Sequence, residues 1–332
     1  MEPLFNTTTG TLDMLSIIIK PNASIAQPPR GHLFPTLVFQ PGLVAPSTMY
    51  QILLTELASR GYAVAALDFP YEAAFVRYPN GTGITGTFND DVINGFTRFS
   101  LDQILELIRE WYEVRVEAGK HFVESWPALV KQLGAPFQTA ALGVFGQSFG
   151  GAAMLGVANA LRDTNAVASA LNLDGQLFGD PASNVPSVAD IKRPVWMLGQ
   201  PNHILIDPTW ATFSAAQTDS WHILYVAGAD HNDFSDIAFW RSIEGSAEQG
   251  SSTIDPMRMV NVTREFVTSF FNHTMQGQEG TVLSQLGEWP EVTVFAQGNG
   301  TLRAGRTDKS ALSPPMTSVL KTWRLLQLAS IL

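Results

Sequence analysis

The stretch LGVFGQSFGGAAML, Leu142–Leu155, decides how this chain is read. An apolar run ends in Gly146-Gln147-Ser148-Phe149-Gly150, and an alanine-rich run with helical spacing follows at once. A strand that turns into a helix this sharply strains the residue at its apex, and side chains two positions to either side would clash there. Glycine on both flanks of Ser148 meets that demand. Gly151, Ala152 and Ala153 are small enough for the new helix to approach the strand. Ser148 is thus a candidate nucleophile, and the Phe149 N–H, opening the helix, a candidate donor to developing negative charge. The competing reading is an N-cap serine in a close-packed turn.

The same rhythm recurs on both sides. TLVFQ (Thr36–Gln40), YAVAALDF (Tyr62–Phe69), TAALGVF (Thr139–Phe145), AVASALNLD (Ala166–Asp174), PVWMLGQ (Pro194–Gln200) and WHILYVAG (Trp221–Gly228) read as short apolar strands separated by helical or loop material. Strands apolar throughout and alternating with helices predict a parallel sheet covered on both faces, an α/β fold. No domain boundary is visible, so residues 1–332 read as one domain. Two stretches break the pattern. Residues 70–97, rich in Gly and Asn, read as a lid or pocket wall leaving a strand's carboxyl end. Residues 277–332 read as a C-terminal extension with little pattern before a last helix, TSVLKTWRLLQLASIL, suited to dock on the body or on a second copy in a homodimer.

Bulk composition narrows the function classes. Of 332 residues, 45% are hydrophobic and 15% charged, which supplies a large core and excludes disorder. A net charge of −10 argues against nucleic-acid partners and anionic membranes. No apolar run is long enough for a membrane-spanning helix, so no stable membrane insertion is expected. The absence of cysteine removes disulfides, thiolate metal sites and a cysteine nucleophile. Six of the 14 asparagines begin an N-x-S/T sequon: Asn6, Asn22, Asn80, Asn261, Asn272 and Asn299. That excess points to glycosylation and a secretory route, with a cytoplasmic location as the alternative. The opening MEPLFNTTTG is not itself a signal peptide, so a secreted form implies a leader already removed.

A serine hydroxyl needs a base. His231, in the ADHNDF loop that follows the strand Trp221–Gly228, stands where the base of such a sheet belongs, late in the chain and at a carboxyl end. The acid that orients it has two candidates, Asp174 and Asp207, each just beyond a later strand, and spacing does not choose between them. The acidic cluster Asp230, Asp233 and Asp236 reads as a solvated loop, not a metal site.

In order, GQSFGG, LNLDGQLF and DHNDFSDIAF resemble the blocks of the platelet-activating-factor acetylhydrolase-like branch of the α/β-hydrolases. VFQPGLVAPSTMYQILLTELASRGYAVAALDF looks like that family's oxyanion-loop strand, helix and next strand. The resemblance covers most of Thr36 to Trp240. It implies an α/β-hydrolase fold, a triad of Ser148, Asp174 and His231, and an oxyanion hole formed by the Leu43 and Phe149 N–H groups. In two places the chain departs from the pattern: Pro41 stands where the family has histidine, and Gln147 where histidine is common. The function implied is a serine hydrolase that needs no cofactor and cleaves a small-molecule carboxylic ester of short to medium acyl length. Gln147, Phe178 and Phe234 are candidate pocket residues. The alternative keeps the same triad for acyl transfer, cyclisation or C–C bond chemistry in a secondary-metabolite pathway.

Overall fold

The computed structural model describes residues 23–86, 100–244 and 252–299, together with Gly10, Asp13 and Ser16. Its elements run β1 (Thr36–Gln40), α1 (Gln51–Ser59), β2 (Ala63–Ala66), β3 (Phe75–Arg77), β4 (Gly83–Thr85), α2 (Leu101–Leu133), β5 (Leu142–Gln147), α3 (Phe149–Ala160), β6 (Val167–Leu173) and α4 (Pro186–Ala189). They continue with β7 (Val195–Gly199), α5 (Pro201–Ile206), α6 (Pro208–Ala216), β8 (Ser220–Val226), α7 (Ile237–Glu244), α8 (Pro256–Gln276) and β9 (Val292–Asn299). Seven strands form one sheet in the order β2-β1-β5-β6-β7-β8-β9, parallel except for β9. This is an α/β-hydrolase fold.

The central strands are apolar throughout because both faces of the sheet are covered. Along β1, Val38 faces a cluster with Tyr112, Val144, Met154 and Phe213, beneath α2, α3 and α6. Leu37 and Phe39 face the opposite cluster, with Phe145, Phe266, Phe270 and Phe271, beneath α1 and α8. Helix α3 is buried along its whole length from Phe149 to Asn159, and its small residues let it lie against β5 and β6. A side chain at Gly150 would collide with the carbonyls of Gln40 and Pro41, and one at Gly151 with the Asn172 amide. Close approach to the backbone at the end of β1 and to the Asn172 side chain on β6 is the reason for the glycines after Ser148.

The two irregular stretches come out differently from the sequence expectation. Part of 70–97 is a β-hairpin, β3 paired antiparallel with β4, whose base is tied to the loop after β1 through Ala74 N–H donating to the Val44 carbonyl at 3.0 Å. The rest of that stretch lies outside the described residues. The region after 277 is not all extension: Val292–Asn299 adds β9 to the edge of the sheet along the whole of β8. Its alternation of half-buried and exposed residues is weak as a pattern, and antiparallel pairing to an existing edge supplies what the sequence signal lacks. The predicted last helix lies outside the described residues. No described helix is long and apolar enough to cross a membrane.

One buried carboxylate ties the α1 side of the sheet to the loop after β8. Asp236 donates its backbone N–H to the Met49 carbonyl at 2.8 Å, and its side chain accepts from the Ile52 N–H at 3.3 Å, at the amino end of α1. Burial pushes its carboxyl up to about 7, against the opposing pull of the Ile52 and Gln51 amides. An acid raised in the folded state stabilises fully below its unfolded value and loses that contribution as pH rises through its folded one. The stability of the wild type relative to Asp236→Asn is therefore expected to fall between about pH 4 and pH 7 and to level above that, as read by denaturant unfolding at a series of pH values.

Candidate active site

The β5–α3 turn puts Ser148 at φ 54°, ψ −127°, a backbone conformation that side-chain-bearing residues rarely adopt. The turn is held: the Ser148 N–H donates to the Leu173 carbonyl at 2.7 Å, and the Ala152 N–H to the Ser148 carbonyl at 3.1 Å. One strand over, Asp174 ends β6 with φ 55°, its N–H donating to the Leu198 carbonyl at 2.8 Å. His231 opens a short 3-10 turn in the loop after β8, capped by Asp230. These three loops stand at the carboxyl ends of β5, β6 and β8, with β7 between the last two.

There the side chains meet. His231 Nε2 lies 2.8 Å from Ser148 Oγ, and His231 Nδ1 lies 2.6 Å from Asp174 Oδ2. That pairing puts a proton on Nδ1 and leaves Nε2 to accept from the hydroxyl. All three residues are buried, with Asp174 fully so. Of the two candidate acids, Asp174 touches His231. Asp207 does not: it lies behind Asp174, and the imidazole of His203 joins them, Nδ1 at 3.2 Å from Asp174 Oδ1 and Nε2 at 2.8 Å from Asp207 Oδ2. Asp174 Oδ1 also accepts from the Gln200 N–H at 2.9 Å. Burial alone would push the Asp174 carboxyl up; the His203 charge and hydrogen bonds from both histidines outweigh it and hold the carboxyl down at about 2.

The loop after β1 closes the other side. Gly42 packs so close to the serine that a Cβ there would lie 3.4 Å from the Ser148 Cβ, and Leu43 follows it. The family histidine is missing at Pro41, and the loop is braced by other groups. The Tyr50 hydroxyl accepts from the Gly42 N–H at 3.0 Å and donates to Gln147 Oε1 at 2.8 Å, while Gln147 Nε2 donates to the His231 carbonyl at 3.1 Å. Gln147 thus links the loop after β1 to the histidine loop. Its amide is spent on scaffold, so the expectation that it lines the substrate pocket is corrected.

Arg115, on α2 and 1% exposed, supplies the second brace. Its guanidinium donates to the Pro41 carbonyl at 2.5 Å and the Gly42 carbonyl at 3.1 Å, pairs with Glu72, and lies over the rings of Phe69 and Phe149 at 4.5 and 5.0 Å. The fork fixes the two carbonyls that precede Leu43. Leu43 is buried, and among the described residues neither its N–H nor that of Phe149 has a hydrogen-bond acceptor.

Two further expectations are settled by burial. Phe234 is not a pocket residue: it is 1% exposed and packs in the core under α1 and α8, because the 3-10 turn that presents His231 directs the fourth residue inward. Phe178 is half-buried, its ring 5.8 Å from Phe149 and 5.7 Å from Tyr112. Among the sequons, Asn80 and Asn261 are exposed, whereas Asn272 is half-buried and its amide oxygen accepts from the Tyr62 hydroxyl at 2.8 Å. Asn299 ends β9; Asn6 and Asn22 lie outside the described residues.

His203 and Arg115 were not found from sequence. His203 precedes Asp207 by four residues at a proline-opened helix, a spacing that brings side chains together and could have marked the pair. Arg115 carries no local signal, since the loop it grips is 74 residues away in the chain.

Comparison with known proteins agrees with this fold and these blocks. A family model described as "Platelet-activating factor acetylhydrolase, isoform II" matches residues 3–82, which include Pro41, Gly42 and Leu43 but none of Ser148, Asp174 and His231. A protein of Arthroderma benhamiae (strain ATCC MYA-4681 / CBS 112371) named "Probable 1-alkyl-2-acetylglycerophosphocholine esterase" is 26% identical over 277 residues, covering 79% of this chain and 66% of its own length. Both matches show that the chain is similar to platelet-activating-factor acetylhydrolases. A solved ferulic acid esterase from Streptomyces cinnamoneus superposes on this hydrolase with a TM-score of 0.63 at 26% identity, over 81% of this chain and 75% of that one. The family match starts at residue 3, well before Thr36, where the resemblance of the sequence blocks begins. Carboxylic-ester hydrolysis is the enzyme class that these relatives support.

Arg115→Lys keeps a charge for Glu72 but loses the fork on the Pro41 and Gly42 carbonyls. It is expected to lower kcat by about 10- to 100-fold with KM within a factor of a few, because it loosens placement, not binding. Steady-state kinetics beside a thermal melt checks this; an unchanged kcat in a folded variant would show that the fork is not needed.

Proposed function

We propose that this hydrolase is a serine esterase acting on short to medium acyl, small lipophilic esters through Ser148, His231 and Asp174. One observation carries the reading: the unbroken hydrogen-bonded line from Ser148 Oγ through His231 to Asp174, at 2.8 and 2.6 Å, built from the carboxyl ends of β5, β6 and β8. A hydroxyl that shares its proton with a neutral imidazole, itself oriented by a carboxylate, is arranged for attack on an ester carbonyl.

In the first half-reaction Ser148 Oγ attacks the carbonyl carbon while its proton passes to His231 Nε2. Asp174 holds the ring by Nδ1 and offsets the cation that forms. The Leu43 and Phe149 N–H groups receive the oxyanion, where fixed donors act without reorganising. Collapse of the tetrahedral intermediate sends the His231 proton to the leaving alcohol and leaves an acyl-serine. Water then repeats the sequence, giving its proton to His231 and releasing the acid. The two similar proteins are both named as esterases, which supports the reaction class. The apolar surroundings of Phe149 and Phe178 support a lipophilic substrate.

The test is initial rates on p-nitrophenyl acetate, butyrate and octanoate. Turnover by the wild type is expected, with a preference among the three that sizes the acyl pocket. Ser148→Ala should lose about six decades of kcat, and Asp174→Asn about four. Asp207→Asn, one imidazole removed from His231, should cost at least about a hundredfold less than Asp174→Asn. Equal losses at the two aspartates, or turnover that survives Ser148→Ala, would overturn the assignment.

A further inference from the structure

His203 is used by no step above, yet it is buried at 3% exposure between two carboxylates, in direct contact with the acid of the proposed triad. We propose that His203 is held permanently as an imidazolium, a positioning residue that fixes Asp174 for His231 and sets the pH below which the site stops working. The proposal rests on the reading of Ser148 as nucleophile.

The geometry favours a charged ring: Nε2 is hydrogen-bonded to Asp207 Oδ2, and Nδ1 stands at ion-pair distance from Asp174 Oδ1. Both ring nitrogens face carboxylate oxygens, at 3.2 Å for Asp174 and 2.8 Å for Asp207. A neutral imidazole carries a single N–H and would aim a lone pair at one of those oxygens. A proton on a carboxylate is the other way to satisfy the contact, but each acid already accepts hydrogen bonds from other donors. The Asp174 oxygens already accept from the Gln200 N–H and from His231. Asp207 caps α6, accepting from the Thr209 N–H at 2.8 Å, and sits at the amino end of a nine-residue helix whose dipole favours an anion. The ring of Trp210 lies 4.6 Å from that of His203, and its indole N–H is tied to the Gly175 carbonyl at 2.8 Å. An aromatic face at that distance favours a cation.

The ionisable groups facing this ring are therefore Asp174 from the end of β6 and Asp207 from the α5–α6 junction, with His231 beyond Asp174. Burial disfavours the charged ring, but the two carboxylates outweigh it and raise its pKa to about 10. A fixed positive charge behind Asp174 weakens the pull of that carboxylate on a proton at His231. It leaves His231 free to act as base at lower pH than a bare aspartate would allow. The same contact stops Asp174 from rotating: one oxygen is gripped by Gln200 and His203, and the other is left for His231.

Two measurements test this. Long-range 1H–15N spectra of the labelled wild type report the charge of each of its six histidine rings. One ring should keep both nitrogens protonated from pH 5.5 to 9, and its signals should vanish in His203→Asn. In parallel, the rate at which a fluorophosphonate labels Ser148 is followed against pH in the wild type, His203→Asn and His203→Gln. Both variants lose the charge and keep an amide donor. Their acid limbs should move to higher pH by about one unit, the effect expected when a unit charge one carboxylate away is removed.

If the His203 ring titrates within that range, or the three acid limbs superimpose, the proposal is overturned. The phosphonate needs no ester, so labelling without p-nitrophenyl ester turnover would overturn the esterase reading and leave this proposal standing. A wild-type Ser148 that does not label overturns both. If neither variant folds, the wild-type spectra decide alone: absence of a ring doubly protonated at pH 9 overturns the proposal.

Discussion

A single carboxylate with no access to water organises the catalytic end of this molecule. Asp174 could not be buried as an anion without full compensation, since an isolated carboxylate in an apolar interior costs far more than a domain's whole stability. Compensation comes from three separate pieces of chain: the Gln200 N–H after β7, His203 on α5, and His231 after β8. Each must be in place for the others to be tolerable. The carboxylate therefore acts as a constraint on the fold as well as a part of the chemistry, fixing how the loops after β6, β7 and β8 stand relative to one another.

The opposite wall of the site is fixed by a different device. The β5–α3 turn brings the Gly150 backbone against the Gln40 and Pro41 carbonyls, so the loop after β1 is positioned by contact with the turn that carries Ser148. Contact alone would leave those carbonyls desolvated. Arg115 satisfies the Pro41 carbonyl and that of Gly42 beside it, and Glu72 satisfies Arg115. Tyr50 and Gln147 then join this loop to the carbonyl of His231 through three hydrogen bonds.

This distribution explains what the sequence disclosed. The parallel strands were legible because burial on both faces leaves continuous apolar runs, and Ser148 was legible because close backbone approach demands glycine at fixed offsets. His231 followed from chain order. Elements whose stability comes from a partner were not legible: β9 has a diluted alternation and depends on the edge of β8, and the β3–β4 hairpin is short and glycine-bounded. Among site residues, Phe234 was misjudged because adjacency to His231 in sequence says nothing about which way a 3-10 turn directs its last side chain. Arg115 and His203 were missed for the opposite reason. Each is a lone polar residue on a helix, a position that usually means solvent, and only tertiary packing turns it inward.

The choice between Asp174 and Asp207 was posed as an alternative, but the structure joins the two through one imidazole. With His203 charged, Asp174, His203 and Asp207 sum to one negative charge. In the proposed mechanism, proton transfer from Ser148 to His231 places a positive charge beside this group and a negative one at the oxyanion, so the total is unchanged. Without the cation, two carboxylates would lie behind His231. They would hold a proton on it more strongly, and a base that is already protonated cannot accept the serine proton. The cation costs some stabilisation of the imidazolium in the transition state and widens the pH range over which the base is available. A histidine placed between the two acids is the physical means by which a site with two buried carboxylates keeps a usable base.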